Sequence, residues 1–275
     1  MITVKNFGQR IYGRFGNEMF QYSLAKILSQ LHNCEFRLNP TSSFLNFFDQ
    51  KKLSYKPYNS SYKTDNYIEK DPFGFDANIF NLFNIDLMGF FQNLFYYNFY
   101  LDIIYNEFKP NIKILNNAYN YIKHKNQYSK DIDKNICIHV RRTDYTILKQ
   151  LYGFLDINYY YNIIDSINHN HIFIISDDIK YVETEFQSLF GHRNNVTYVK
   201  ELDMYHDFYI MYLSGINIIA NSTFSWWASF LSDRNQSKTI FAPSQWIANR
   251  PPVNLYPPNW KTVDSTRHRW LKLFQ

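Results

Sequence analysis

Cysteine is nearly absent from this chain. Cys34 and Cys137 lie far apart, and neither belongs to a C-x-x-C pair or a cluster with metal-ligand spacing. That excludes a disulfide scaffold and a zinc finger, and predicts two buried thiols in a reducing compartment. Long apolar runs are missing too: the greasiest stretch, Leu87 to Tyr105, is interrupted by Gln92, Asn93, Asn98 and Asp102. It falls short of the roughly 20 apolar residues a membrane helix needs. The opening Met1-Ile2-Thr3-Val4-Lys5-Asn6 reaches Gly8 and Arg10 without the zones of a secretory signal. Together these absences predict a cytoplasmic protein with no transmembrane segment. There is no block of like charge: 29 Lys+Arg and 24 Asp+Glu, net +5, are spread along the chain. A nucleic-acid-binding surface is therefore not expected, and a small anionic ligand or ordinary surface charge accounts for the balance. Glycine is scarce, 8 residues, and the loop Gly13-Arg14-Phe15-Gly16 has neither G-x-G-x-x-G spacing nor a GK[ST] ending.

Apolar and aromatic material is plentiful, 45% and 20% of 275 residues, including 25 Phe and 24 Tyr. That is enough for two lobes, each with its own core. The first, residues 1–125, reads as a strand over 2–7, a glycine-containing turn, a helix over 17–31 and a short strand over 34–38. Residues 39–76 read as mostly loop with short helices, and 79–125 as helical, broken at Pro110. The polar run 123–134 reads as a linker. In residues 126–275 short apolar strands at 136–140, 172–176, 196–199, 217–220 and 239–242 alternate with helices. This is the pattern of a parallel, Rossmann-like sheet covered on both faces.

Ligands of such sheets bind beyond the carboxyl ends of the strands, where three groups of polar residues fall. Ile136-Cys137-Ile138-His139-Val140 runs into Arg141, Arg142, Thr143 and Asp144. A guanidinium fork matches a diphosphate, and alternation along a strand puts His139 and Arg141 on one side and Arg142 on the other. One arginine is thus expected to meet a ligand and the other to brace the loop, with Asp144 as a possible partner. Ile172 to Ile175 ends in Ser176, Asp177 and Asp178, carboxylates suited to a divalent metal, to a base or ribose, or to capping the next helix. Ile218 to Ala220 gives way to Asn221, Ser222, Thr223 and Ser225 at a helix start. Those hydroxyls could cradle phosphate or simply cap the helix, and Trp226 and Trp227 could stack on a sugar or pack the core.

GRFGNEMFQYS at 13–23, HVRRTDY at 139–145 and NSTFSWWASF at 221–230 resemble the blocks of glycosyltransferase family 11, the α-1,2-fucosyltransferases. GFFQN at 89–93, SDD at 176–178 and AP-x-x-W at 242–246 also look like the family, so the resemblance covers almost the whole chain in order. It implies an α/β, GT-B type architecture of two facing Rossmann-like lobes, with GDP-β-L-fucose as donor and an oligosaccharide as acceptor. It also implies an inverting, metal-independent transfer with no cofactor beyond the GDP-sugar. By the same resemblance Arg141 holds the diphosphate with His139 nearby. Asn221, Ser222, Thr223 and Ser225 line the donor pocket, Asp177 or Asp178 contacts guanosine, and Gly13, Arg14 and Asn17 approach the fucose. Glu18 stands where the family has Gln, and Thr143 where it has Gly, which leaves acceptor and linkage open. The candidate catalytic groups are Arg141, Glu18 and Asp144, with Glu18 as a general base or merely a favourable charge at a helix N-terminus. Another GDP-deoxysugar, a metal-dependent route through Asp177 and Asp178, and a non-catalytic carbohydrate-binding protein are the competing readings.

Overall fold

The computed structural model describes residues 1–9, 14–126, 131–143, 155–200, 202–248 and 250–266. The chain divides into two compact units, Met1–Ile112 with Val253–Pro257, and Lys113–Pro252 with Pro258–Gln275.

The first unit contains β1 (Ile2–Val4), α1 (Phe15–Leu31), β2 (Phe36–Leu38), α2 (Ser42–Phe47), β3 (Asp65–Ile68), β4 (Ile85–Met88) and α3 (Leu101–Glu107). Its four strands form a parallel sheet in the order β2-β1-β4-β3. Helix α1 ends because Asn33 turns left-handed (φ 45°), which lets Cys34 N donate to Ser29 O at 2.9 Å and Asn33 N to Gln30 O at 3.2 Å. Those two bonds satisfy the carbonyls that a helix end otherwise leaves open. The abundant aromatics are used here as core. Phe15 stacks on Phe47 with centroids 3.5 Å apart, and Phe44 meets Phe7 edge-on at 5.2 Å.

Strand β4 lies within the stretch expected to be helical. Asp86 disguises it: a carboxylate at a buried strand position spoils the apolar pattern. It is tolerated because Thr3 Oγ1 donates to Asp86 Oδ1 at 2.8 Å and Lys5 N donates at 2.9 Å. The partly exposed β3 also fell in a region read as loop. Helix α4 (Ile112–Lys125) goes with the second unit rather than ending the first, so the division falls earlier than residue 125. Asn126, just past its end, donates from Nδ2 to Asn135 Oδ1 at 3.1 Å, tying it to the start of the second sheet.

The second unit continues with β5 (Ile136–Val140), α5 (Ile157–Asp165), β6 (Ile172–Ser176), α6 (Ile179–Phe190), β7 (Val196–Tyr198) and α7 (Met204–Leu213). It closes with β8 (Ile216–Ile218), α8 (Thr223–Ser232), β9 (Thr239–Pro243) and β10 (Lys261–Val263). The six strands are parallel, in the order β10-β9-β8-β5-β6-β7. The alternation expected from sequence is present, with the polar edge strand β10 added. Ile136, Ile138 and Val140 point into a core with Tyr159, Ile163, Phe186 and Phe190, which leaves Cys137 and His139 to the other face.

Gly215, between α7 and β8, passes so close to the chain before β5 that a Cβ there would lie 1.9 Å from Asp133 O. Backbone cannot yield as a flexible side chain does. Gly215→Ala is predicted to destabilise the protein by about 1–3 kcal/mol, the usual range for overpacking, and an unchanged denaturation midpoint would refute the close approach.

Candidate active site

Ligand crevices in parallel sheets form where the strand order reverses. Here the chain leaves β5 for β6 and β7 on one side and returns to β8, β9 and β10 on the other, so the reversal lies between β5 and β8. The β5–β6 register pairs Val140 with Ser176 and so brings the following residues, Arg141 and Asp177, together. Arg141 Nη1 is 3.1 Å from Asp177 Oδ2, with the side chains 15% and 19% exposed. The same carboxylate accepts from Arg142 N at 2.8 Å, from Thr143 N at 3.2 Å and from Thr143 Oγ1. Burial raises the Asp177 pKa, but the charge of Arg141 and these hydrogen bonds outweigh it, and the group sits below its ordinary value. Asp177 therefore holds the arginine loop. Asp178, at the N-cap position of α6, makes no side-chain capping bond.

The two arginines turn to different partners, as strand alternation predicts. Arg142 lies over the Tyr181 ring, 3.5 Å to its centroid, with Nη1 3.3 Å from Glu185 Oε2. It braces the loop against α6. Asp144, considered as a bracing or catalytic partner, and Gly13 lie outside the described residues.

His139 is 4% exposed, its ring 5.5 Å from that of Phe224, and its Nδ1 is buried with no hydrogen-bond partner. Burial, then the neighbouring Arg141 charge, lower its pKa to about 3, so the imidazole is neutral near pH 7. Helix α5 fixes the tips on both sides of the reversal: Tyr160 Oη donates to His139 O, and Tyr159 Oη to Ile219 O, each at 3.2 Å.

After β8, Asn221 Nδ2 donates to Trp246 O at 2.9 Å, which joins this block to the A-P-x-x-W segment. Ser222 occupies the N-cap position of α8 without a side-chain capping bond, so simple capping does not account for its hydroxyl. Thr223 begins the helix, half-buried. Ser225 is turned inward: its one O–H is shared between Ser222 O at 3.1 Å and Ala220 O at 3.4 Å, bracing the turn. Trp226 and Trp227 are fully buried, and Trp226 stacks on Phe230 at 4.5 Å. Both pack the core.

Asp207 was not singled out by the sequence reading. It lies in the first turn of α7, its Oδ1 buried without a partner, and burial, with the charge of Asp203, pushes its pKa up to about 8. The neighbouring Phe208 meets Phe224 edge-on at 5.6 Å, so α7 packs beside the N-terminus of α8. A carboxylate directly before the apolar run Phe208-Tyr209-Ile210-Met211 was the available signal.

In the first unit Arg14 is exposed at the N-cap of α1, Asn17 Oδ1 accepts from Gln92 Nε2 at 3.0 Å, and Glu18 Oε2 accepts from Thr41 Oγ1 at 3.3 Å. Glu18 is 5% exposed, and burial raises its pKa to about 7, the Thr41 bond offsetting part of the shift. Cys137 is buried as expected, whereas Cys34 is only half-buried. Among the described residues no group of three or more His, Cys, Asp and Glu is placed to hold a metal ion, and no helix is long and apolar enough to cross a membrane.

Two parallel α/β units in one chain, with polar groups collected at the strand-order reversal of the second, are a GT-B type architecture. The sequence model of Glycosyl transferase family 11 matches residues 3–264, and the chain belongs to that family. Among curated proteins it is similar to the O-antigen biosynthesis glycosyltransferase WbnK of Escherichia coli, 25% identical over 302 residues, covering 90% of this chain and 97% of the relative. It is also similar to an alpha-1,2-colitosyltransferase of Escherichia coli, 30% identical over 134 residues, covering 45% and 44%. Among solved structures, POFUT1 in complex with GDP-fucose superposes with a TM-score of 0.51 at 13% identity, covering 96% of this chain and 97% of that one. NodZ alpha-1,6-fucosyltransferase soaked with GDP-fucose does so with 0.50 at 11% identity, covering 84% and 91%. At these identities the superpositions establish the fold.

The Asp207 carboxyl gives a signed stability test. Its folded pKa, about 8, lies above the ordinary 3.8, so the fold retains a proton that the unfolded chain releases. The stability it contributes is present below the ordinary value and is lost as pH rises toward about 8. Asp207→Asn cannot ionise. The melting temperature of the variant minus that of wild type should grow between pH 4 and pH 8, and a constant difference would remove the buried-acid assignment.

Proposed function

We propose that this glycosyltransferase moves L-fucose from GDP-β-L-fucose to a glycan hydroxyl, with O-2 of galactose as the expected acceptor position. One observation carries the reading: His139 and Arg141, Asp178, and Asn221 to Thr223 stand at the carboxyl ends of the adjacent strands β5, β6 and β8, around the strand-order reversal. Arg141, held by Asp177, is the charge donor for the diphosphate, and the N-terminus of α8 with Ser222 and Thr223 offers N–H and hydroxyl groups to its oxygens. Asp207 and Asp178 are the acceptors for the N–H and O–H groups of the nucleoside. A partner for the buried Asp207 carboxyl is what a base edge supplies.

As the bond between sugar and diphosphate breaks, negative charge grows on the leaving group, and preorganised donors stabilise it more than they stabilise the ground state. The acceptor hydroxyl attacks the anomeric carbon from the face opposite the departing diphosphate, and the configuration inverts. Glu18, whose raised pKa suits proton transfer near neutrality, is the candidate to take the hydroxyl proton, with Arg14 and Asn17 serving the sugar. Family membership supports the transfer chemistry. The GDP-fucose in complex with POFUT1, and that with which NodZ was soaked, support the donor, since both proteins share the fold. The colitosyltransferase among the relatives names the principal alternative, a different deoxysugar in the same linkage.

The test is a panel of sugar nucleotides with the released nucleotide identified. GDP-fucose should be consumed in the presence of a galactoside, and Arg141→Ala should lower turnover by about a hundredfold or more, as removal of a preorganised charge donor does. Equal rates in mutant and wild type would sink the assignment. Activity should persist in excess EDTA, and its abolition would favour a metal route through Asp177 and Asp178.

A further inference from the structure

Phe91 has a φ of 56°. The left-handed region is unfavourable for a bulky aromatic residue and persists only where the surroundings impose it. The surroundings here are specific. Glu69, just beyond β3, accepts from Phe90 N at 2.6 Å and from Phe91 N at 2.9 Å. The single O–H of Tyr97 is shared between Phe91 O at 2.7 Å and Phe20 O at 3.1 Å. Gln92 N donates to Pro72 O at 3.0 Å, and Gln21 Nε2, from α1, donates to Gly89 O at 2.8 Å. Gly89 has no room for a side chain, since a Cβ would fall 2.4 Å from that of Glu69. The turn 89–92, at the carboxyl end of β4, is thus held on every side by side chains from α1, the β3 loop and Tyr97. Burial of Glu69 raises its pKa to about 7 even against two N–H donors, so the clamp has a free-energy cost beyond the strain at Phe91.

What the clamped turn delivers is the Gln92 carboxamide, whose Nε2 is 3.0 Å from Asn17 Oδ1 in the first turn of α1. A carboxamide carries an acceptor at one end and donors at the other. A donor fixed against Oδ1 therefore sets which way the Asn17 NH₂ points. We propose that Gln92 and Glu69 are positioning residues that act through Asn17, the strained 89–92 turn orienting the Asn17 amide for the sugar or the acceptor hydroxyl. The proposal rests on the reading above, in which Asn17 serves the sugar side. Packing of β4 against α1 needs neither a buried carboxylate nor a carboxamide aimed at Asn17, and apolar side chains would serve it at lower cost.

A double-mutant cycle on the full chain tests the dependence on Asn17. Gln92→Leu keeps the shape and removes the donor. It should lower kcat for transfer by about tenfold, the equivalent of one net hydrogen bond, while GDP affinity, set by the other unit, stays within about twofold. Asn17→Ala should lower kcat at least as far, and Gln92→Leu added to it should cost nothing more. Glu69→Gln, which retains one acceptor oxygen, should keep more activity than Glu69→Ala. The second readout needs no turnover: the Asn17 side-chain amide resonances, identified by their loss in Asn17→Ala, should shift in Gln92→Leu. Additive losses in the double variant, or unmoved Asn17 resonances, would overturn the proposal. A wild type that turns over no GDP-sugar would sink fucosyl transfer instead, and the resonances would still decide the role of Gln92.

Discussion

Two arginines in succession at the tip of a buried strand repel each other and lack water to screen them, so the site depends on what receives their charge. Asp177, one strand over, takes the guanidinium of Arg141 and two backbone N–H groups of the following loop, while Arg142 is turned by strand alternation onto Tyr181 and Glu185. A carboxylate in this position does two things. It offsets part of the positive charge of the arginine pair, and it fixes the backbone at Arg142 and Thr143. The parallel register that pairs Val140 with Ser176 makes this possible, since a slip of one residue would send Arg141 to the wrong face.

Elsewhere in the chain the protein keeps several ionisable groups under conditions that disfavour their charge. Glu18, Glu69 and Asp207 are raised by burial, and His139 is lowered by it. Each is a liability for stability, and such groups concentrate at functional sites because the same desolvation that costs stability tunes proton transfer and strengthens hydrogen bonding. The aromatic cores offset that cost. Phe15, Phe44 and Phe47 in the first unit, and Tyr159, Tyr160 and Phe186 in the second, bury large apolar surfaces. The two tyrosines also direct their hydroxyls to the strand tips on either side of the strand-order reversal. Core and site are therefore continuous: the ring that packs is the ring that holds His139 and Ile219 in place.

The alternating apolar strands and helices of residues 136–243 were legible in the sequence because a parallel sheet buried on both faces leaves unbroken apolar runs such as Ile172-Phe173-Ile174-Ile175. Strand β4 was not, because Asp86 interrupts its pattern and only Thr3 and Lys5, more than eighty residues earlier, make that carboxylate acceptable. The partly exposed β3 and β10 carry too few apolar residues to announce themselves. In the site, the arginine pair, the Ser-Asp-Asp run and the hydroxyl cluster could be read as chemistry at strand ends. The inward turn of Ser225 and the isolation of Asp207 could not, since both depend on what packs around them.

The amino-acid order by itself determined which elements form and which residue types stand at their ends, since periodicity and local propensity act within a few residues. It also carried the family, through blocks spread over nearly the whole chain. The tertiary structure alone decided the partners: Asp177 for Arg141, Glu185 and Tyr181 for Arg142, and Gln92 for Asn17. Hydrogen bonds and ion pairs are set by distance in space, and residues dozens of positions apart come into contact only once sheet register and helix packing have been fixed.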